Sequence, residues 1–274
     1  MKLGICQILT TESKINNINE ADKMINDLIC QKVDIILLPE CFNCPYGINY
    51  FEKYSEEFNL NNSKSITFKF FDKISKKYPN VYFFFGSIPE KENNTIYNTM
   101  AIFYQGKFID KYRKIHLYDI NIEGKHTFME SSVLTGGEDP VIIKTKFGNV
   151  GIGICYDLRF PKLAEYYRKN DCKLIVYPGA FNLITGESHW ELLQRGRALD
   201  NMLFIATAAT ARNNNADYKS WGNSTIVNPW GKVINKLDDK EGILIQDLDM
   251  LEIDKIRSSI PTFKNLKKID LKII

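Results

Sequence analysis

One stretch of the chain joins a short buried strand, a cysteine and the start of a helix: Gly151-Ile152-Gly153-Ile154-Cys155-Tyr156-Asp157-Leu158-Arg159-Phe160-Pro161. The apolar run over 150–154 predicts a buried strand, and Pro161 suits the first turn of a helix. Cys155 follows the strand directly, so we expect it near the positive end of a helix dipole, which favours a thiolate. Two interpretations stay open here: a nucleophile at a strand end, or a small buried hydrophobic side chain.

The same alternation of apolar runs and helical spacing continues along the chain. Apolar runs predict strands over 2–8, 33–38, 81–85, 174–177 and 204–208, the third of them closed by Gly86. Helical spacing predicts helices after Ser13, over 65–78, after Pro161, over 189–201 and over 250–258. A hairpin is predicted at Gln105-Gly106, whereas the polar segment 113–139 shows little periodicity. This pattern is typical of one α/β domain with a mixed sheet or two sheets.

Charge and hydropathy exclude two classes of partner. Lysine and arginine number 36 and aspartate and glutamate 33, so the balance of +3 gives no electrostatic footprint for nucleic acid. No apolar run approaches the roughly 20 residues that would span a bilayer, and we recognise no signal peptide. We therefore expect a cytoplasmic protein that binds neither nucleic acid nor membrane.

The six cysteines are scattered through a chain too large to need disulfides, which fits a reducing compartment. Cys41 and Cys44 form a C-x-x-C pair, which is found in zinc sites and in redox sites. Zinc would require a second pair at matching spacing, and a thioredoxin-like site would require a helix after the motif; Pro45-Tyr46-Gly47 indicates a loop instead. We predict that the pair has neither role and that the protein needs no metal and no cofactor.

Three reactive side chains stand at the carboxyl ends of predicted strands, where α/β proteins bind their ligands. Glu40 follows the second strand, Lys114 follows the hairpin, and Cys155 follows the central strand. Together they suit acyl transfer, with a carboxylate to deprotonate the thiol and Lys114 plus the Tyr156 backbone N–H to stabilise an oxyanion. Singly, Glu40 and Lys114 are equally typical of solvated surface positions. His189 is interpreted as a structural residue at a helix start.

Three motifs in this order resemble the signatures of the nitrilase (carbon–nitrogen hydrolase) superfamily. They are Leu38-Pro39-Glu40, Tyr112-Arg113-Lys114-Ile115-His116-Leu117 and Gly153-Ile154-Cys155-Tyr156-Asp157-Leu158-Arg159-Phe160. The resemblance implies an α/β fold of the nitrilase type, a four-layer αββα sandwich, which usually pairs into homodimers or higher homo-oligomers across its helical face. We assign 1–249 to the hydrolase domain and 250–274 to a C-terminal helix and tail, part of the same unit or of the dimer interface.

The resemblance also implies catalytic roles, position by position. Glu40 would be the general base, Lys114 the proton donor and oxyanion stabiliser, and Cys155 the nucleophile. Glu130 occupies the place of a second glutamate that orients the lysine and the substrate amide; a solvated loop carboxylate is the alternative. The implied partner is a small-molecule amide.

Within the superfamily the chain is similar to the omega-amidase branch, above all in Pro39-Glu40-Cys41-Phe42-Asn43-Cys44-Pro45-Tyr46-Gly47, in 178–182 and in 221–231. The implied substrates are ω-amides of short dicarboxylic acids such as 2-oxoglutaramate and succinamate. A deaminated-glutathione amidase is one alternative, and a catalytically dead scaffold protein is another.

Such a substrate carries a far carboxylate that needs a cation, and arginine binds carboxylates bidentately. We expect that cation to be Arg159, unless Arg159 forms a structural ion pair with Asp157, in which case Arg195 is the next candidate. Phe181 and Tyr46 are predicted to line the pocket.

Overall fold

The computed structural model describes residues 1–124 and 126–265, and places fourteen strands within them. The strands are β1 Lys2–Gln7, β2 Ile35–Leu37, β3 Tyr82–Glu92, β4 Thr95–Tyr104, β5 Lys107–Arg113, β6 Asp119–Ile122, β7 His126–Met129, β8 Ile142–Thr145, β9 Gly148–Ile152, β10 Cys172–Gly179, β11 Phe204–Ala209, β12 Thr225–Val227, β13 Val233–Lys236 and β14 Gly242–Asp247. The helices are α1 Lys14–Cys30, α2 Ile48–Tyr54, α3 Ile66–Lys77, α4 Pro161–Lys169, the single turn α5 Leu183–Thr185, α6 Glu191–Asn201, α7 Met250–Ser259 and α8 Thr262–Asn265.

Two six-stranded sheets form the centre of the molecule. The first has the order β14-β1-β2-β3-β4-β5 and the second the order β13-β12-β11-β10-β9-β8. In each sheet the middle strands are parallel: β1, β2 and β3 in one, and β9, β10 and β11 in the other. The sheets pack face to face with helices outside, as the predicted αββα sandwich requires.

The core is divided by the alternation of side chains along each strand. In β2, Ile35 and Leu37 point into the layer between the sheets, while Ile36 packs under α1 and α3. In the same way Phe84 of β3 faces the inner layer and its neighbour Phe85 faces α3. Continuous apolar runs are therefore needed in these strands, because both faces are covered.

Several predicted elements differ from the structure. Gly86 does not close a strand, because β3 continues past it to Glu92 through a bulge between Phe85 and Ile88. The polar segment contains the small antiparallel hairpin β6–β7, and α2 follows the C-x-x-C loop; neither was predicted. The helix predicted over 189–201 begins at Glu191, after a wide turn over Gly186–Trp190.

The C-terminal helix α7 has the predicted position, and its Ile253 is buried in the inner core. Of the tail predicted over 264–274, the first two residues belong to the short helix α8, and residues 266–274 lie outside the described residues. The division at 249/250 stays a prediction. Within the described ranges, no helix has both the length and the apolar character that crossing a membrane would require.

Candidate active site

Glu40 is turned into the protein by a close approach between two strands. A side chain at Gly86 would put its Cβ only 2.0 Å from the Leu38 carbonyl oxygen, so the β3 bulge needs glycine there. Beyond Glu40 the chain turns sharply at Cys41, whose φ is +49° and whose N–H donates to Ser87 Oγ at 3.2 Å. As a result the Glu40 side chain has no exposed surface.

Lys114 follows β5, and its side chain reaches the carboxylate of Glu40. Its Nζ lies 3.0 Å from Glu40 Oε1 and 2.9 Å from the carboxylate of Glu130, and all three side chains are fully buried. Burial alone would lower the pKa of Lys114, but the charges of Glu130 and Glu40 outweigh it and raise that pKa well above its usual range. At rest the lysine is therefore a charged ammonium between two carboxylates.

Glu130 owes its position to the unpredicted β6–β7 hairpin. It begins the short 3₁₀ turn after β7, where its carboxylate accepts hydrogen bonds from the Tyr118 N–H and the Tyr46 hydroxyl, each at 2.6 Å. The Glu130 side chain is thus fully buried and is not a solvated loop carboxylate. Tyr46 stands behind Glu130, with its ring centroid 6.0 Å from Lys114 Nζ.

Cys155 occupies a sharp turn at the carboxyl end of β9. Its φ of +48° is in the left-handed region, which is unusual for a residue with a side chain. The backbone N–H of Ala180 hydrogen-bonds the thiol, which also neighbours the Glu40 carboxylate. Burial and the negative charge of Glu40 raise the pKa of Cys155 well above its usual value, although Lys114 opposes them.

The expectation of a thiolate stabilised by a helix dipole is therefore wrong. Cys155 starts a 3₁₀ turn over Cys155–Arg159, and α4 begins only at Pro161. The resting group is a protonated thiol beside a carboxylate, so the thiol would have to lose a proton to act as a nucleophile.

Glu40 is suited to accept that proton. Burial raises its pKa above the ordinary 4.5, Lys114 lowers it, and the nearby charge of Glu130 raises it again, with a net upward shift. Oε1 accepts hydrogen bonds from Lys114 Nζ and from Asn98 Nδ2 at 2.9 Å. This leaves Oε2 as the oxygen that can take a further proton.

Asp157 connects the lysine strand to the cysteine turn, and sequence reasoning missed this role. Its buried carboxylate accepts from Tyr112 Oη at 2.7 Å, from the Ile154 N–H at 2.9 Å and from the His116 N–H at 2.9 Å. Tyr112 and His116 flank Lys114 in sequence, so one side chain fixes the distance between Lys114 and Cys155. A signal was present only as an aspartate close to the cysteine.

A narrow cavity lies beside the thiol. It is lined by Tyr118, Cys155, Arg159, Ala180, Phe181, Thr185 and Tyr218. Phe181 and Arg159 thus line the same cavity as Cys155. Tyr46 lines a different cavity, but its ring centroid lies 4.7 Å from that of Tyr218, which lines both.

Arg159 does not form the ion pair with Asp157 that was the alternative. The Asp157 carboxylate is taken up by the donors named above, and within residues 1–124 and 126–265 the Arg159 guanidinium has no ion-pair partner. The reserve candidate, Arg195, lies on α6, where its Nε donates to the Gly231 carbonyl at 2.9 Å, away from this cavity.

The C-x-x-C cysteines, Cys41 and Cys44, are free, fully buried and in contact with each other. Burial and the neighbouring Cys44 thiol raise the pKa of Cys41 well above its usual value. Among the described residues, no three His, Cys, Asp or Glu side chains form a group that could hold a metal ion. That the protein needs no metal stays a prediction.

A buried thiol, a carboxylate and an ammonium group meet where the strands of the two sheets end in an αββα sandwich. This combination is typical of an α/β-sandwich hydrolase. More particularly, the chain belongs to the carbon–nitrogen hydrolase family, whose family model matches residues 2–258. The chain is therefore an enzyme that acts on the C–N bonds of small-molecule amides.

Similar proteins extend over nearly the whole chain. The omega-amidase NIT2 of Homo sapiens is 43% identical over 98% of this chain and 96% of its own length, and that of Xenopus tropicalis is 44% identical over 95% and 92%. Among solved structures, Nit3 of Saccharomyces cerevisiae, a member of branch 10 of the nitrilase superfamily, superposes with a TM-score of 0.87 at 35% identity. That match covers 95% of this chain and 94% of Nit3.

Proposed function

We propose that this carbon–nitrogen hydrolase is an omega-amidase that releases ammonia from the ω-amides of short dicarboxylic acids, such as 2-oxoglutaramate and succinamate. The similar proteins that carry this name support the proposal. The structural observation that carries it is Arg159, which has no ion-pair partner among the described residues and lies in the same narrow cavity as Cys155. An amide carbon and a carboxylate of one small molecule would meet these two groups together.

In the first half of the reaction Cys155 attacks the amide carbon. The sulfur–carbon bond forms as the thiol proton passes to Glu40, and the carbonyl electrons move onto oxygen. Lys114 and the Tyr156 backbone N–H donate hydrogen bonds to that oxyanion. When the intermediate collapses, the leaving nitrogen takes a proton from Lys114, which recovers it from Glu40, and ammonia departs from a thioester.

In the second half, water hydrolyses the thioester. Glu40, again ionised, removes a proton from the water as its oxygen attacks the carbonyl carbon. The carbon–sulfur bond breaks, the acid leaves, and the proton returns from Glu40 to the sulfur of Cys155. The raised pKa of Glu40 suits this shuttle, because a carboxylate with a higher pKa is a stronger base.

Glu130 serves the same site as a positioning residue. With Glu40 it holds the Lys114 ammonium by two short contacts, so that the ammonium does not swing toward either carboxylate alone. The hydroxyl of Tyr46 and the N–H of Tyr118 keep the Glu130 carboxylate in place.

Charge favours the approach of an anionic substrate from the Arg159 side. A larger cavity of about 550 Å³ lies on the other side of Tyr46, Phe128 and Tyr218. In the described part of the chain its lining includes Glu12 and Asp217 but no lysine or arginine. A dicarboxylic monoamide would be repelled there and attracted at Arg159, at distances within a Debye length.

The test is the rate of ammonia release from a panel of amides: 2-oxoglutaramate, succinamate, deaminated glutathione and the neutral amide butyramide. We expect the two dicarboxylic monoamides to have the highest kcat/KM. Preference for deaminated glutathione would favour the sister amidase, and no release from any amide would favour a catalytically dead scaffold. Either result would overturn the omega-amidase proposal.

We also infer that the protein is a homodimer that pairs through α6. Leu192 and Leu199 occur at i and i+7 on this helix and are 68% and 54% exposed, beside Trp230 at 57%. Sedimentation should give a dimer for the wild type and a monomer for Leu192→Glu/Leu199→Glu; a wild-type monomer would contradict the inference.

A cytoplasmic location stays our expectation, to be checked by fractionation.

A further inference from the structure

Arg159 is oriented by uncharged groups. Its NH1 lies 3.2 Å from His189 Nδ1, and its guanidinium carbon lies 5.0 Å from the ring centroid of Phe181 and 5.6 Å from that of Tyr156. None of these partners neutralises the arginine, and in the described residues no carboxylate pairs with it. The cation therefore keeps its full charge toward the cavity.

The hydrogen bond fixes the chemical state of His189. A guanidinium can only donate, so Nδ1 must be the acceptor, and the imidazole proton is on Nε2 in the neutral tautomer. Partial burial and the charge of Arg159 both lower the pKa of His189, so it stays neutral at neutral pH. One imidazole nitrogen uses one N–H of Arg159 and leaves the others for a ligand carboxylate.

The backbone on both sides of His189 is held by packing. It belongs to the wide turn Gly186–Trp190 between α5 and α6. After it, Trp190 Nε1 donates to the Asn223 carbonyl at 2.8 Å; before it, a Cβ on Gly186 would lie 2.4 Å from the Trp221 side chain. The turn is thus packed against the segment Trp221–Asn223, although the His189 ring is exposed at the rim.

We propose that His189 is a positioning residue for substrate selection, which holds the Arg159 guanidinium toward the cavity while leaving its charge unpaired for the far carboxylate of the substrate. This inference rests on the proposed function, in which Arg159 binds that carboxylate. It assigns His189 more than a structural role at a helix start. A neutral acceptor is the chemical requirement, since an acidic residue would orient Arg159 equally well but would also neutralise it.

The test compares three variants, His189→Leu, His189→Asn and His189→Glu, on succinamate and on butyramide, its neutral analogue of equal length. Loss of one hydrogen bond at the rim should raise KM for succinamate about three- to tenfold in His189→Leu, with kcat nearly unchanged. His189→Asn keeps an acceptor oxygen near the place of Nδ1 and should restore KM. His189→Glu should raise KM for succinamate above that of His189→Leu, and butyramide should be unaffected throughout.

Two results would overturn this inference and leave the proposed function in place. One is an unchanged KM for succinamate in His189→Leu while Arg159→Lys impairs the same substrate. The other is equal loss on both amides, because a structural role would not distinguish a charged substrate from a neutral one. A wild-type enzyme with no preference for succinamate over butyramide would instead overturn the proposed function, and this inference with it. Because the His189 side chain is exposed, we expect these variants to fold, and circular dichroism checks that they do.

Discussion

Replacing Glu130 by glutamine tests the electrostatics of the site most fully, because it removes one negative charge and little volume. The amide can still accept from the Tyr118 N–H, but Lys114 loses the carboxylate of Glu130, which lies 2.9 Å from its Nζ. A hydrogen bond to a charged group contributes about 1.5–3 kcal/mol, so kcat/KM should fall about 10- to 150-fold. The charge of Glu130 also raises the pKa of Glu40, and its removal should lower that pKa.

The assay is the pH dependence of kcat/KM for succinamate. In the proposed mechanism activity needs ionised Glu40, so in the wild type the acid limb should lie above the ordinary glutamate pKa of 4.5. In Glu130→Gln the limb should move to lower pH while the plateau falls. Glu138→Gln, the same change on an exposed side chain outside the catalytic cavity, should leave both unchanged. A limb that moves to higher pH, or an undiminished plateau, would refute this reasoning.

Three further changes give separate outcomes. Asp157→Asn puts an amide N–H among donors, so kcat should fall and the free energy of unfolding should drop by about 1–3 kcal/mol in urea titrations; wild-type kcat would contradict its positioning role. Gly86→Ala should destabilise the fold by at least about 2 kcal/mol through its backbone clash. The control Gly242→Ala, whose Cβ would meet only the Leu237 side chain at 3.9 Å, should be nearly neutral; equal stability of the two would argue against the strand approach. Cys44→Ser should keep kcat, and chelators should have no effect; stoichiometric zinc in the purified protein would overturn the prediction that no metal is needed.

The positions of Glu40, Lys114 and Cys155 could be predicted from the sequence because each follows a strand whose apolar run or hairpin pattern is visible locally. Within each sheet these strands run in one direction, and the packing of the two sheets then brings the ends of β2, β5 and β9 together. The strand end predicted at Gly86 was wrong, because a glycine in a bulge within a strand and a glycine at the end of a strand give the same local sequence pattern.

Contacts between distant segments could not be predicted in this way. Asp157 joins His116 across 41 residues, and Asn98 joins Glu40 across 58. Neither periodicity nor composition reports which side chains meet at that separation. The protonated state of Cys155 was missed for the same reason, since it depends on burial beside Glu40 and not on the residues that follow the cysteine.

The central claim is that Cys155 carries the acyl group of a dicarboxylic monoamide as a thioester. The most direct measurement is intact-protein mass spectrometry of the enzyme quenched with acid during turnover of succinamate, followed by peptide mapping. We predict a mass increase of one succinyl group on Cys155, and neither adduct nor ammonia release in a folded Cys155→Ala variant. Substantial turnover by that variant, or an acyl group mapped to another residue, would contradict the claim.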